Sequence, residues 1–284
     1  MNNYTFLSND DLEQNRWLQK IDMSTSDKSN SIQLYRVLDG IDSEFTSQLY
    51  DVLILNNFAE EEREEKTDFL TFFEHDSKLD SRRENINIIA VSNNKFVGLL
   101  TAMAFHKSQL GYFDYLVIDE SVRGKGIGSK IFQAGKQIMK QIAQNKGYDH
   151  NNLAVLLTVE KENSTMNLSK GQAPHKRLKF YENQNCKRVG GMPCFVPGIY
   201  DTENGREKPP IDCYDWLISG VNRNFNNGEI LMDRDTALQF NIDNLDLQYT
   251  DAQNRPATET DTYKKIKDTI SDIIYAEALF WIKF

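Results

Sequence analysis

The sequence is short of cysteine and has no long apolar run. Its three cysteines (Cys186, Cys194 and Cys213) are odd in number and form no CxxC pair, which argues against a disulfide framework and against a zinc site. No stretch approaches the ~20 apolar residues of a membrane helix, and the N-terminus shows no positive region followed by an apolar run. We therefore expect a soluble, cytoplasmic protein that has no signal peptide, does not bind a membrane and holds no metal.

Positive charge is also scarce. Lys and Arg number 33 against 42 Asp and Glu, a formal net charge of −9. A nucleic-acid-binding protein usually presents a basic face, and none is obvious here, so nucleic acid is not expected as a partner. An acidic surface attracts cations instead, which favours polyamines, aminoglycosides or basic peptides. The content of 39% hydrophobic and 26% charged residues is that of an ordinary globular protein.

Hydrophobic patterns predict a mixed α/β sheet in the order β, α, β, β, β, α, β, α, β. Residues 1–31 read as an N-terminal extension with a possible short helix around Asp11–Ile21, and the acidic run at 60–65 reads as a solvated helix start. Residues 221–284 read as a C-terminal extension whose end, from about Asp261, is an amphipathic helix. The predicted strands are Ser31–Leu38, Ile86–Val91, Lys95–Phe105, Tyr112–Ile118, Leu153–Val159 and Ile211–Ile218. Three helices are predicted before residue 221. The first runs from a cap at Ser43 to about Phe58, the second follows the glycine segment to about Lys146, and the third covers 175–184.

Three glycines alternate with other residues between a predicted strand and a predicted helix, in the stretch YLVIDESVRGKGIGSKI. Backbone N–H groups at a helix N-terminus attract anions, and glycine lets the chain curl closely around the ligand. Arg123 and Lys125 add positive charge beside this turn. The segment has neither the GxxxxGK[ST] of a P-loop nor the GxGxxG of a dinucleotide site. It therefore predicts a phosphate or pyrophosphate site of another kind.

The same segment resembles the R/Q-x-x-G-x-G/A signature of the GNAT superfamily of N-acetyltransferases. Val159–Asn163 fits the V-x-x-x-N that follows the family's fifth strand, and Phe180–Arg188 follows its F-Y-E-x-x-G-F-x-R with Asn185 and Cys186 in place of Gly and Phe. Asparagine is the next-best residue for a left-handed helix end, so this turn should survive. The resemblance covers residues 32–220. It implies a GNAT-like α/β fold, with a mixed, mostly antiparallel central sheet flanked by helices.

The resemblance also implies an acyl-coenzyme A ligand, most often acetyl-CoA as co-substrate. Its pantetheine arm would pair with the fourth strand of the family, and the N–H of Ile118 would stabilise the oxyanion. The predicted coenzyme-binding residues are Ile118, Arg123, Gly124, Lys125, Gly126, Gly128, Ser129 and Asn163. Residues 164–179 read as an insertion of about eleven residues beyond the family's usual spacing.

Two residues are expected to carry the proton transfers. Asp114 lies four residues before Ile118, so it should share that residue's face, and it is our candidate for the base that deprotonates an amine; Glu160 is the alternative. Tyr181 matches the tyrosine that protonates the leaving thiolate in many family members. An amphipathic-helix core tyrosine would look the same in sequence.

The implied activity is transfer of an acetyl group from acetyl-CoA to a primary amine of a small molecule or peptide, with cationic amines as the first candidates. The alternative is a non-catalytic acyl-CoA-binding or partner-binding module that keeps the glycine turn without the base and the acid. The acceptor, the acyl chain length and the choice between monomer and homodimer are open.

Overall fold

The computed structural model describes residues 16–22, 32–39, 41–58, 63–74, 82–149, 153–161, 174–190, 192, 194, 200–201, 206–207, 214–222, 224–226, 230–248, 261–276 and 280–282. Among these residues, no helix is both long and apolar enough to pass through a bilayer. They fall into two compact units, each described here by itself. Unit 1 takes its residues from Met1–Ala104 and Phe113–Ile142, and unit 2 from Phe105–Tyr112, Ala143–Asn167 and Gln172–Phe284.

Helices and strands alternate along the chain as a mixed α/β fold. The strands are β1 (Leu18–Ile21), β2 (Ile32–Val37), β3 (Arg83–Ser92), β4 (Lys95–Phe105), β5 (Leu110–Ile118), β6 (Ala154–Glu160), β7 (Lys187–Gly190), β8 (Tyr200–Asp201), β9 (Arg206–Glu207), β10 (Tyr214–Gly220), β11 (Ile230–Met232) and β12 (Phe280–Ile282). The helices are α1 (Ser43–Leu49), α2 (Lys66–Glu74), α3 (Ile127–Lys146), α4 (Pro174–Asn183), α5 (Arg234–Gln248) and α6 (Asp261–Ala276). Helix α1 continues through a π-helical turn (Tyr50–Ile54) and a last turn (Leu55–Asn57).

Unit 1 contains the strand order β1-β2-β3-β4-β5, of which β1–β2 and β2–β3 are antiparallel. The β3–β4 connection is a tight hairpin because Asn93 and Asn94 both adopt positive φ, 49° and 59°. On one face, α1 and α2 bury a cluster that includes Leu49, Phe69 and Tyr115. This aromatic-rich core fixes β5 against the helices of unit 1.

Helix α3 packs closely on β4 and β5 through Gly135. A Cβ at this position would lie 2.5 Å from Leu100 Cδ2 and 2.8 Å from Phe113 Cζ. Both neighbours are buried, so neither can move away without disturbing the core. The predicted inward residues Ile131, Ile138 and Ile142 are also buried, which confirms the helical phase that the sequence predicts.

We expect Gly135→Ala to destabilise the protein although alanine is the better helix former. Overpacking costs about 1–3 kcal/mol, and the gain in helix propensity returns ~1 kcal/mol at most. Thermal unfolding should therefore begin a few degrees lower, about 2–4 °C for each kcal/mol. Gln137→Ala, on the exposed side of the same helix, is the matched control and should leave the melting temperature unchanged. A Gly135→Ala protein more stable than wild type would contradict this packing.

Unit 2 contains the antiparallel order β6-β10-β7-β12-β11. Helix α5 contacts this unit through Phe240, whose ring meets Phe105, Tyr112 and Trp216 at centroid distances of 5.7, 6.4 and 5.4 Å. The terminal helix that the sequence predicts is present as α6, with Tyr263, Ile266, Ile270 and Ile274 buried, and it packs on α5.

Two local predictions are wrong. Leu18–Ile21, placed in a possible helix, form strand β1 and pair with β2 over Leu18–Val37 to Ile21–Leu34; residues 11–15 lie outside the described residues. A free strand edge on β2 outweighs a weak helical pattern in so short a segment. The cap of α1 is Asp42 rather than Ser43, because the Asp42 carboxylate accepts from the Glu44 amide at 2.6 Å.

Candidate functional site

The glycine segment forms an exposed turn that leads into α3, as the sequence predicts. Gly124 and Gly126 have φ values of 78° and 75°, in the left-handed region where side chains are strained. A Cβ on either would meet no heavy atom of the described residues within 4 Å, so the backbone conformation and not crowding requires glycine. Helix α3 begins directly after them, and its first turn, described in full, carries no acidic residue. The two glycines therefore lie at an exposed turn directly before a helix N-terminus.

The charges beside this turn differ in their surroundings. Lys125 is exposed, and Lys130 and Ser129 are half-buried in the first turn of α3. Arg123 instead bonds within the protein: Nε donates to the Ile118 carbonyl at 3.0 Å and one terminal nitrogen donates to Asn57 Oδ1 at 2.8 Å. These bonds brace the end of β5 against the end of the α1 segment. Contact of Arg123 with a phosphate stays a prediction.

Strand β5 is irregular at Asp114. Phe113 packs on α3, with its ring 5.2 Å from that of Phe132, whereas Tyr115 belongs to the core cluster under α1 and α2. Regular alternation would put residues 113 and 115 on the same face. The Tyr115 amide also donates to the side chain of Thr101 on β4, at 3.2 Å. This break in the pleat means that counting four residues from Ile118 does not give the face of Asp114.

Asp114 is exposed between buried neighbours on β5. A second carboxylate, Glu64, lies close enough for the two charges to interact. The pKa of Glu64 is raised to about 8, first because protein crowds its carboxyl group and removes water, then because of the charges of Asp114 and Asp68; Arg83 opposes the increase. The residue nevertheless keeps contact with solvent. Glu64 was hidden in the acidic run at 60–65, whose local pattern signals only a solvated surface.

Unit 2 holds the other candidates. Tyr181 is half-buried on α4, and burial, followed by the charge of Cys186, raises its pKa above the ordinary value while Arg177 opposes the shift. Glu160, the alternative base, is buried at the end of β6 and forms an ion pair with Arg177. A carboxylate held in this way is less available to an amine. Asn163 lies outside the described residues.

The end of α4 confirms the expectation that asparagine can replace glycine in the left-handed turn after this helix. Asn185 adopts φ 60°, the left-handed conformation that the family pattern gives to glycine. The amides of Cys186 and Gln184 donate to the Tyr181 carbonyl at 3.0 and 2.9 Å, which closes the turn. Cys186 is buried, and its amide hydrogen bond to the Tyr181 carbonyl therefore holds the Tyr181 backbone against the buried residue. Among the described residues, no group of three or more His, Cys, Asp or Glu could hold a metal ion.

Residues 46–161 match the model of the acetyltransferase (GNAT) family. This part of the chain is a GNAT acetyltransferase domain. The matched range contains the glycine turn, Glu64, Asp114 and Glu160, whereas Tyr181 lies beyond it. A search of curated protein sequences found no match.

Solved structures similar to the GNAT domain have low sequence identity. A tandem GNAT protein from the clavulanic acid biosynthesis pathway is 15% identical over 58% of this chain, with a TM-score of 0.45; the match spans 46% of that protein. The ribosomal-protein-S18-alanine N-acetyltransferase of Escherichia coli is 12% identical over 69% of this chain and 97% of its own, with a TM-score of 0.41. An aminoglycoside 6'-N-acetyltransferase in complex with coenzyme A is 18% identical over 52% of this chain and 78% of its own, with a TM-score of 0.34.

Proposed function

We propose that the protein transfers an acetyl group from acetyl-CoA to a primary amine on a small molecule or peptide. One observation carries the proposal: two left-handed glycines open onto the N-terminus of a 20-residue helix, inside the segment that matches an acetyltransferase family. Acetyl-CoA supplies the acetyl group as a thioester. The residues of this chain bind the coenzyme, orient the amine and move its protons.

The start of α3 fits a pyrophosphate. The backbone amides at a helix N-terminus and the helix dipole favour an anion, and no acidic residue of the described first turn opposes one. We assign the pyrophosphate to the segment Gly124–Ser129 with Lys125 beside it, and the thioester oxygen to the amide of Ile118. Arg123 would act by holding the turn in place. Asn163 keeps its assigned contact with the coenzyme from the resemblance alone.

The acceptor is a cation before it reacts. A primary amine of the lysine type has a pKa near 10.4, so it must lose a proton before it attacks the thioester. The acidic net charge of the chain favours the approach of an ammonium group, and the exposed carboxylate of Asp114 adds to it. Tyr181, whose raised pKa keeps the phenol protonated, is assigned to protonate the leaving thiolate.

Binding of acetyl-CoA by the wild type can be tested by thermal unfolding and by calorimetry. A ligand at 100 times its dissociation constant should stabilise the fold by ~2.7 kcal/mol. Transfer to amines should then be followed by thiol release with a panel of diamines, aminoglycosides and short peptides with a free amino terminus. Coenzyme binding without transfer to any amine would favour the non-catalytic module, and absence of binding would reject the proposal.

We expect Lys125→Glu to weaken acetyl-CoA binding roughly tenfold, since an exposed ion pair contributes about 0.2–1 kcal/mol and charge reversal replaces attraction by repulsion. Lys140→Glu makes the same change of charge on an exposed position later in α3 and is the matched control. It should change the dissociation constant less than threefold. Isothermal titration at two salt concentrations checks the prediction, because screening should shrink the difference. Equal effects of both variants would mean that the anion does not bind at this turn.

A further inference from the structure

Glu64 is held in place by two tyrosines from different elements. The Tyr50 hydroxyl donates to the Glu64 carbonyl at 2.6 Å, and the Glu64 amide donates to the Tyr115 hydroxyl at 3.0 Å. Both tyrosines are buried in the core of unit 1, while Glu64 itself is exposed. Both backbone polar groups of an exposed loop residue are therefore anchored to the core, which restricts its carboxyl group to side-chain rotation.

The anchors come from two irregular places in the fold. Tyr50 opens the π-helical turn that follows α1, and Tyr115 follows the break in strand β5 at Asp114. Single π-helical turns and breaks in a strand pleat re-aim side chains and occur often beside functional sites. Both irregularities therefore position a tyrosine that holds the backbone of Glu64.

We propose that Glu64 is the group that takes the proton from the acceptor amine, and that Asp114 acts through Glu64 rather than on the substrate. This inference rests on the proposed amine acetylation. The Glu64 carboxylate accepts one proton from the ammonium group; the free amine then forms the new C–N bond as the C–S bond of the thioester breaks. The electron pair of that bond leaves on the coenzyme sulfur, which takes a proton from the Tyr181 phenol. The second proton of the attacking nitrogen passes through water to the Tyr181 phenolate, and Glu64 returns its own proton to solvent.

The charges around Glu64 suit this role. Asp114 on β5 and Asp68 on α2 make the carboxylate more basic, Arg83 on β3 makes it less so, and the phenols of Tyr50 and Tyr115 adjoin its backbone. Crowding by protein acts in the same direction as the two aspartates and is the larger cause. A base works best when its pKa lies near the working pH, and about 8 meets that condition while an ordinary glutamate does not.

The same charges make Glu64 costly for folding, which separates a functional residue from a structural one. Its folded pKa lies above its unfolded value of 4.5, so the folded protein binds more protons and stability falls as pH rises between those values. We expect Glu64→Gln to raise the melting temperature at pH 8–9 and to leave it unchanged near pH 4. A structural glutamate would give a loss of stability instead.

The decisive experiment measures kcat against pH for wild type, Glu64→Gln, Asp114→Asn and the matched control Glu65→Gln, with the best acceptor of the amine panel and acetyl-CoA saturating. Loss of the base should lower kcat by about 10²–10⁴-fold in Glu64→Gln. Asp114→Asn should keep more activity than Glu64→Gln. The acidic limb of its kcat–pH profile should move to lower pH, because removal of the neighbouring charge lowers the pKa of Glu64. Glu65→Gln should have the kcat of wild type and the same acidic limb in its pH profile.

Repeating the profile with a less basic amine identifies the group that titrates, since a limb that belongs to Glu64 stays in place when the pKa of the amine changes. The inference would be overturned if Glu64→Gln kept the wild-type kcat and the wild-type acidic limb of the pH profile while Asp114→Asn lost most of its kcat. That result would assign the base to Asp114 and leave acetyl transfer intact. Failure of wild type to acetylate any amine would instead reject the proposed function, and the role of Glu64 with it.

Discussion

Tyr181→Phe is expected to lower kcat for acetyl transfer by about 10²–10⁴-fold while leaving the dissociation constant of acetyl-CoA unchanged. The substitution removes one hydroxyl from a half-buried ring on α4 and keeps the ring itself. Without the phenol, the leaving thiolate has to take its proton from water. The loss should therefore appear in kcat and not in coenzyme binding, measured by steady-state rates and by calorimetry.

The pH profile adds a sign to this prediction. Burial raises the pKa of Tyr181 above its ordinary 10.0, so the phenol stays protonated throughout the neutral range and beyond. No alkaline fall in kcat below pH 10 should trace to this residue. Tyr148→Phe, which also removes a buried hydroxyl in unit 2, is the control and should keep wild-type kcat. If Tyr181→Phe stays within twofold of wild type at every pH, the tyrosine belongs only to the packing of its helix.

Local signals in the sequence predicted the parts of the structure that depend on neighbouring residues. Two glycines in the turn before α3 and Asn185 at the end of α4 adopt positive φ. In each case the residue type itself predicts the left-handed conformation. The hairpin at Asn93 and Asn94 is predictable for the same reason. The family motifs added the order of these elements, so the glycine turn and its helix were correct in advance.

Glu64 was not predicted as a site residue because no neighbouring residue in the sequence distinguishes it. Its two anchors lie 14 residues before it and 51 residues after it. The π-helical turn that presents Tyr50 looks like ordinary helix in the sequence, and the break in β5 shows only when Phe113 and Tyr115 contact different layers. A side chain in an acidic run is usually solvated, and only these distant contacts make this one different.

Arg123 illustrates the opposite limit, in which a motif gives a position without its partners. The spacing placed an arginine directly before the glycine turn, and charge alone suggested a phosphate. In the structure its guanidinium bonds to Asn57, which is 66 residues away, and to the carbonyl at the end of β5. A planar guanidinium with five donors suits such bracing as well as it suits an anion. Sequence gives the donor, and the fold decides which acceptors it meets.

Arg177→Met is expected to destabilise unit 2 by about 3–5 kcal/mol, because it leaves a buried carboxylate without its cation. The Glu160 side chain is 2% exposed and that of Arg177 is 21% exposed. Oxygen Oε1 of Glu160 has no hydrogen-bond partner among the described residues, and Oε2 forms the ion pair with Arg177. Urea unfolding at neutral pH measures the loss.

Two further variants separate the buried charge from the lost arginine. Lys179→Met breaks an exposed ion pair with Glu182 on the same helix, at 3.3 Å with side chains 70% and 50% exposed, and should change the unfolding free energy by less than about 0.5 kcal/mol. The double variant Glu160→Gln, Arg177→Met should recover most of the stability, because an amide costs less to bury than an unpaired carboxylate. A double variant as unstable as Arg177→Met would show that packing of the arginine stem, and not its charge, holds β6 to α4.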